Sequence, residues 1–186
     1  MEPAAVLPEL LAHAGDDHAR VAVYAAGRAA AGTSPTRLAE LLDGLLGASS
    51  GVKVTSRKEA ARLTVRFLPA RRAAALLARI AGDEVSHPDV VTAAVGLAIG
   101  LLETGEVWNL LETAAASGTR EAGAAIAHAS PLRVARPHRP RYARLVALVA
   151  ASPHRSVAGQ AVAALPDWVA FAPEAADPVR LAVCGL

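Results

Sequence analysis

The chain has 186 residues, 53% of them hydrophobic but only 3% aromatic, so its apolar mass is Ala, Val and Leu rather than the β-branched and aromatic runs of a sheet protein. Nineteen basic and seventeen acidic residues leave a net charge of +2, which is not by itself a nucleic-acid footprint. A single cysteine, Cys184, excludes an intramolecular disulfide and a cysteine-based zinc site.

The start, MEPAAVLPELLAHAG, lacks a basic region and is not expected to act as a signal peptide. No stretch reaches the roughly 18 uncharged apolar residues of a membrane span, and the expectation is a cytoplasmic protein. In chain order, a first helix is predicted from Pro3 to His13, and Asp16 or Asp17 caps a second that runs to about Ala31. Ser34-Pro35 opens a third, because Ser is a good N-cap and Pro is tolerated at the first helical position. Its Leu38, Leu41, Leu42 and Leu45 form one apolar stripe. Residues 47–55 read as a loop. Ser56 and Glu59 then form a capping-box pattern before a helix that stops at Pro69, followed by a partner to Gly82.

Ser86 opens a long helix to Leu102, Thr104-Gly105 separates it from the next, and Thr119 opens another. The segment Ser130 to Pro140 carries three prolines and is read as irregular. Helix resumes after it, and Ser152-Pro153 caps a further helix to Leu165. Pro166-Asp167 starts a separate short turn, and Asp177-Pro178 opens the last helix.

These helices group into about five pairs whose starts are separated by about 30 to 40 residues, within the range of two-helix repeats. The first helices align as Val21-x3-Ala25-Ala26, Ala60-x3-Thr64-Val65 and Val157-x3-Ala161-Val162, and more loosely at Ala94-Val95 and Ala125-Ile126. Asp177-Pro178-Val179-Arg180-Leu181-Ala182 resembles the HEAT repeat, and the stretches from Asp17 and from Ser156 resemble it more loosely. The resemblance implies an all-α fold, a right-handed α-α superhelix (solenoid) of about five HEAT-like pairs, forming a single repeat domain over residues 1–186. The last stretch, PVRLAVCGL, is apolar where an end repeat needs a polar outer face. The chain is therefore expected to be a piece of a longer array or of a multidomain protein.

Charge alternates by block. Residues 1–50 carry −3, 51–82 carry +7, 83–130 carry −6 and 131–155 carry +6. One reading is mutual neutralisation between neighbouring repeats, through ion pairs each worth about 1 kcal/mol or less. The other is anion binding. Lys58, Arg62 and Arg66 form a stripe at i, i+4 and i+8, and Arg133, Arg136, Arg139, Arg141 and Arg144 cluster around the proline-rich segment. HEAT second helices usually line the concave face, so the resemblance implies that Arg71, Arg72, Arg79, Arg141 and Arg144 share a groove; with Arg139, these are the candidate binding residues. The acidic block with Glu103, Glu106 and Glu112 interrupts a phosphate track.

No catalytic residue, metal site or cofactor is expected. The six histidines lack a metal-binding pattern, and there is neither a nucleophile elbow nor a P-loop. His128 reads as a core histidine and Cys184 as a buried thiol. Trp108 and Glu112, at i and i+4, faintly resemble the groove pair of HEAT-like DNA glycosylases; packing of Trp108 between repeats with Glu112 solvated is the simpler expectation. The function expected is a non-catalytic scaffold that binds a protein partner or another domain of its parent chain, with nucleic-acid or polyanion binding as the alternative.

Overall fold

The structure is a computed structural model that describes residues 6–13, 17–47, 52–83 and 85–184. It is all-helical, with no strand among the described residues. The helices are α1 (Leu7–Ala12), α2 (Ala19–Ala31), α3 (Pro35–Leu46), α4 (Val54–Phe67), α5 (Ala70–Gly82) and α6 (Pro88–Ala98). They continue as α7 (Gly105–Ala116), α8 (Arg120–Ala127), α9 (Arg139–Ala150), α10 (Arg155–Phe171) and α11 (Ala176–Cys184). No helix among the described residues is long and apolar enough to cross a membrane. The chain forms two compact units, Met1–Leu97 and Ala98–Leu186.

In the first unit α2 packs on α1, α3 and α4, and α4 packs on α2, α3 and α5. The contact between α2 and α4 is close because Gly27 lies in it. A methyl group at Gly27 would stand 2.6 Å from Leu63 Cδ1. α4 also carries a row of small buried residues, Ser56, Ala60 and Thr64, at i, i+4 and i+8. The Thr64 hydroxyl donates to Ala60 O at 2.9 Å, which satisfies a polar group that has no water to bind.

In the second unit α9 is the hub, touching α7, α8, α10 and α11. Its buried residues, from Tyr142 to Ala150, lie on most of its circumference, as a central helix requires. Tyr142 stacks on Trp168 of α10 with centroids 4.7 Å apart and planes tilted 23°. The Tyr142 hydroxyl donates to Ile126 O at 3.2 Å, tying α9 to α8. Gly123 of α8 repeats the role of Gly27: a methyl there would stand 2.9 Å from Val157 Cγ1 of α10.

Several boundaries differ from expectation. Ser34 does cap α3, its hydroxyl accepting from Arg37 N at 3.0 Å, and α7 and α8 begin directly after Thr104 and Thr119 as expected, with no side-chain cap from either. His18, not an aspartate, stands at the cap of α2; Asp17 instead pairs with Lys53 at 3.5 Å, and Asp16 lies outside the described residues, as does Pro3. The Ser56–Glu59 capping box does not form, because α4 begins at Val54 and Ser56 is buried within it. Pro166 does not divide two helices. It lies inside α10, on the solvent side, while Leu165 and Trp168 are buried. Continuity there keeps Trp168 against Tyr142, and full burial of so large a side chain, about 1.5–3 kcal/mol, is of the size of the proline penalty. The proline-rich segment is irregular as predicted, with two tight turns, Pro131–Arg133 and Arg136–His138.

Candidate functional site

The six arginines singled out from sequence fall into two sets. Arg71, Arg72 and Arg79 belong to α5 in the first unit, and Arg139, Arg141 and Arg144 to α9 in the second. Arg79 is held by Asp43, whose carboxylate accepts from Nη2. Arg141 donates from Nε (2.9 Å) and Nη2 (2.6 Å) to one oxygen of Glu112 and lies 4.5 Å from the Trp108 ring centroid. Arg139 donates from Nε to Val134 O at 3.0 Å and lies over Phe171, which fastens the proline-rich turns to the start of α9. Arg72 and Arg144 are exposed and enter no ion pair among the described residues; Arg71 is exposed too.

The charge blocks pair with each other. Lys53 with Asp17, Arg79 with Asp43, His138 with Glu103 and Arg141 with Glu112 join residues 29 to 36 positions apart, the spacing of one helical pair. Lys58 adds a looser contact to Asp89 at 3.9 Å. A band of one sign therefore meets the band before or after it, as far as each unit extends.

No family model, curated protein or solved structure matches this chain.

The Trp108 pair does not open onto a groove. The indole is buried, donates to Leu102 O at 2.9 Å, and has Arg141 on it; Glu112 is part-exposed, as expected, and is also engaged by that same arginine. His128 is exposed at the end of α8 rather than in the core, and Cys184 is exposed rather than buried. No group of three metal-ligating side chains occurs among the described residues.

Two features escaped the sequence reading. One is Arg57, buried on the inner face of α4 beside the Lys58–Arg62–Arg66 stripe, of which Arg62 and Arg66 are exposed and Lys58 half-buried. Its Nη2 donates to Leu46 O at 3.1 Å and to Ser86 Oγ at 3.3 Å, and Ser86 in turn donates to Asp83. One guanidinium thus ties the end of α3 to the turn before α6. The signal was its phase: Ala60, Ala61 and Thr64 at i+3, i+4 and i+7 are all apolar or small.

The other is a groove of about 370 Å³ between α2 and α4, lined by Arg20, Val21, Tyr24, Glu59 and Arg62. Tyr24 is its half-buried floor. Arg28 Nη1 donates to the Tyr24 hydroxyl at 3.3 Å, and the Arg28 and Arg66 guanidiniums lie 6.0 Å and 5.9 Å from the ring centroid. The hydrogen bond from Arg28, helped by the positive charge of Arg66, lowers the Tyr24 pKa below its ordinary value. Arg62 donates to Glu59 at 3.1 Å. Val21 is 63% exposed, a large apolar side chain turned to solvent.

Proposed function

We propose that this chain is a non-catalytic helical-repeat scaffold of HEAT-like pairs, wound as a right-handed superhelix, that binds another protein or another domain of its parent chain. The observation that carries the reading is the one-pair spacing of the ion pairs. Lys53–Asp17, Arg79–Asp43 and Arg141–Glu112 consume charge between successive helical pairs, so the basic bands are partly structural and do not form an open phosphate track. The packing agrees with it. Helices two apart in the chain touch, α2 with α4, α7 with α9, α8 with α10 and α9 with α11, as stacked pairs do.

Nucleic-acid or polyanion binding is the second reading, favoured by Arg72, Arg136 and Arg144, which are exposed and outside any ion pair among the described residues. Affinity capture from a nuclease-treated extract of the native host, compared with an Arg72→Glu/Arg144→Glu variant, separates the two. The scaffold reading expects a protein partner that survives nuclease. Capture that disappears with nuclease, together with oligonucleotide binding that falls steeply as salt is raised, transfers the function to the polyanion reading.

A further inference from the structure

We propose that the groove between α2 and α4 docks an acidic segment of a partner protein, with carboxylates taken by Arg20, Arg28, Arg62 and Arg66 and an apolar side chain seated against Val21. The site deepens the protein-binding reading and rests on it, but it uses a different surface from the α5 and α9 arginines.

Charge complementarity names the occupant. Arg20 and Arg62 line the groove with a single carboxylate, Glu59, which is already engaged by Arg62, and Arg28 and Arg66 flank the Tyr24 ring that also lines it. Arg20 is exposed and enters no ion pair among the described residues. Arg28 lies beside the Tyr24 ring and Arg66 beside both the Tyr24 and Phe67 rings, which limits their rotamers before a ligand arrives. A guanidinium positioned in this way keeps several N–H donors for a carboxylate, in a planar fork that matches it.

The same geometry disfavours a nucleic-acid strand. Successive phosphates need a continuous basic path, and here Glu59 and the apolar Val21 lie among the arginines. The two rings there, Tyr24 and Phe67, are flanked by arginine side chains rather than open for base stacking. An exposed valine between cations is instead what a peptide of mixed acidic and apolar residues fits. The volume of about 370 Å³ has room for a few side chains.

The probe is a short fluorescein-labelled peptide of repeated Glu-Glu-Leu triplets, read by fluorescence polarisation, with its Gln-Gln-Leu counterpart and an oligothymidylate of equal length for comparison. The full chain is tested alongside Arg20→Glu/Arg66→Glu and Arg144→Glu, each checked for unchanged helical circular dichroism. The acidic peptide is expected to bind, the Gln form to bind at least about tenfold more weakly, and Arg20→Glu/Arg66→Glu to lose about tenfold or more while Arg144→Glu stays near wild type. Val21→Ser is expected to weaken the acidic peptide a few-fold. Peptide binding that survives Arg20→Glu/Arg66→Glu but falls in Arg144→Glu removes the groove and leaves protein binding standing. Oligothymidylate binding tighter than the peptide removes both. Failure of the wild-type chain to bind the peptide removes the groove.

Discussion

The two units each hold one tyrosine, and they use it in opposite ways. In the first, Tyr24 lies half-buried in a groove, with its hydroxyl and ring given to arginines. In the second, Tyr142 is buried, stacked on Trp168 and bonded to a backbone carbonyl. Both tryptophans also fall in the second unit. The first unit closes its core with Ala and Leu around the close approach at Gly27, and leaves both its aromatics, Tyr24 and Phe67, only half-buried. The second fills the space around a central helix with rings. All-helical packing thus produces, in one unit, a core without large aromatics that carries an open cationic groove and, in the other, a ring-filled core whose indoles are inside.

The largest test of that contrast is truncation. Trp168→Ala should cost about 3–5 kcal/mol, as removal of a fully buried aromatic does, whereas Tyr24→Ala should cost well under about 1 kcal/mol. Urea unfolding of both variants reads the difference; equal losses would mean that Tyr24 is a core residue and the groove is not a free surface.

Next come the two glycines. Gly27→Ala and Gly123→Ala each push a methyl against a buried side chain, and each should lose about 1–3 kcal/mol by thermal or urea unfolding. A stabilising alanine at either position, as expected for an exposed helical glycine, would break the close approach there.

The smallest effect is spectroscopic. In an ultraviolet titration, Tyr24 should ionise below the ordinary phenol value of 10.0, because Arg28 donates to it, and Tyr142 well above it, because burial disfavours the phenolate. The signs for stability are opposite. The lowered Tyr24 pKa favours the folded chain above 10.0, and that contribution disappears as pH falls through the lowered value. The raised Tyr142 pKa favours the folded chain below 10.0 and its contribution is lost as pH rises past that point, so Tyr142 favours alkaline unfolding. Arg28→Ala should return Tyr24 toward 10.0, and a carboxylate-rich ligand in the groove should move it the same way. A single merged transition would contradict the contrast.

Much of the helical order was legible in the sequence, because Ser34-Pro35, the Leu38 to Leu45 stripe and the prolines of 130–140 act locally. The phase of α2 was not. Its sequence, ARVAVYAAGRAAA, is apolar at nearly every position, so hydrophobic spacing cannot fix which side is inner. The alignment that set Val21 beside Ala60 and Val157 is slipped by one residue: Ala22, Ala26 and Ala30 are buried and Val21 is exposed. One residue turns a helix by about 100°, and that slip hid the groove. Arg57 was hidden for the converse reason: it adjoins the basic Lys58–Arg62–Arg66 stripe and reads as exposed by its charge, although its phase with Ala60, Ala61 and Thr64 points inward. The ion pairs between helical pairs were foreseen as a possibility in the charge blocks, but their partners depend on packing.

Those blocks have a consequence for charge reversal. Acidic and basic blocks follow one another along the sequence, and Arg79–Asp43 and Arg141–Glu112 each join one block to the block before it. Reversing the sign of a single side chain in either pair would set like charges against each other, whereas exchanging both partners would keep the match. Each such exposed contact is worth about 1 kcal/mol or less, so the match governs which side chains meet more than how stable each unit is.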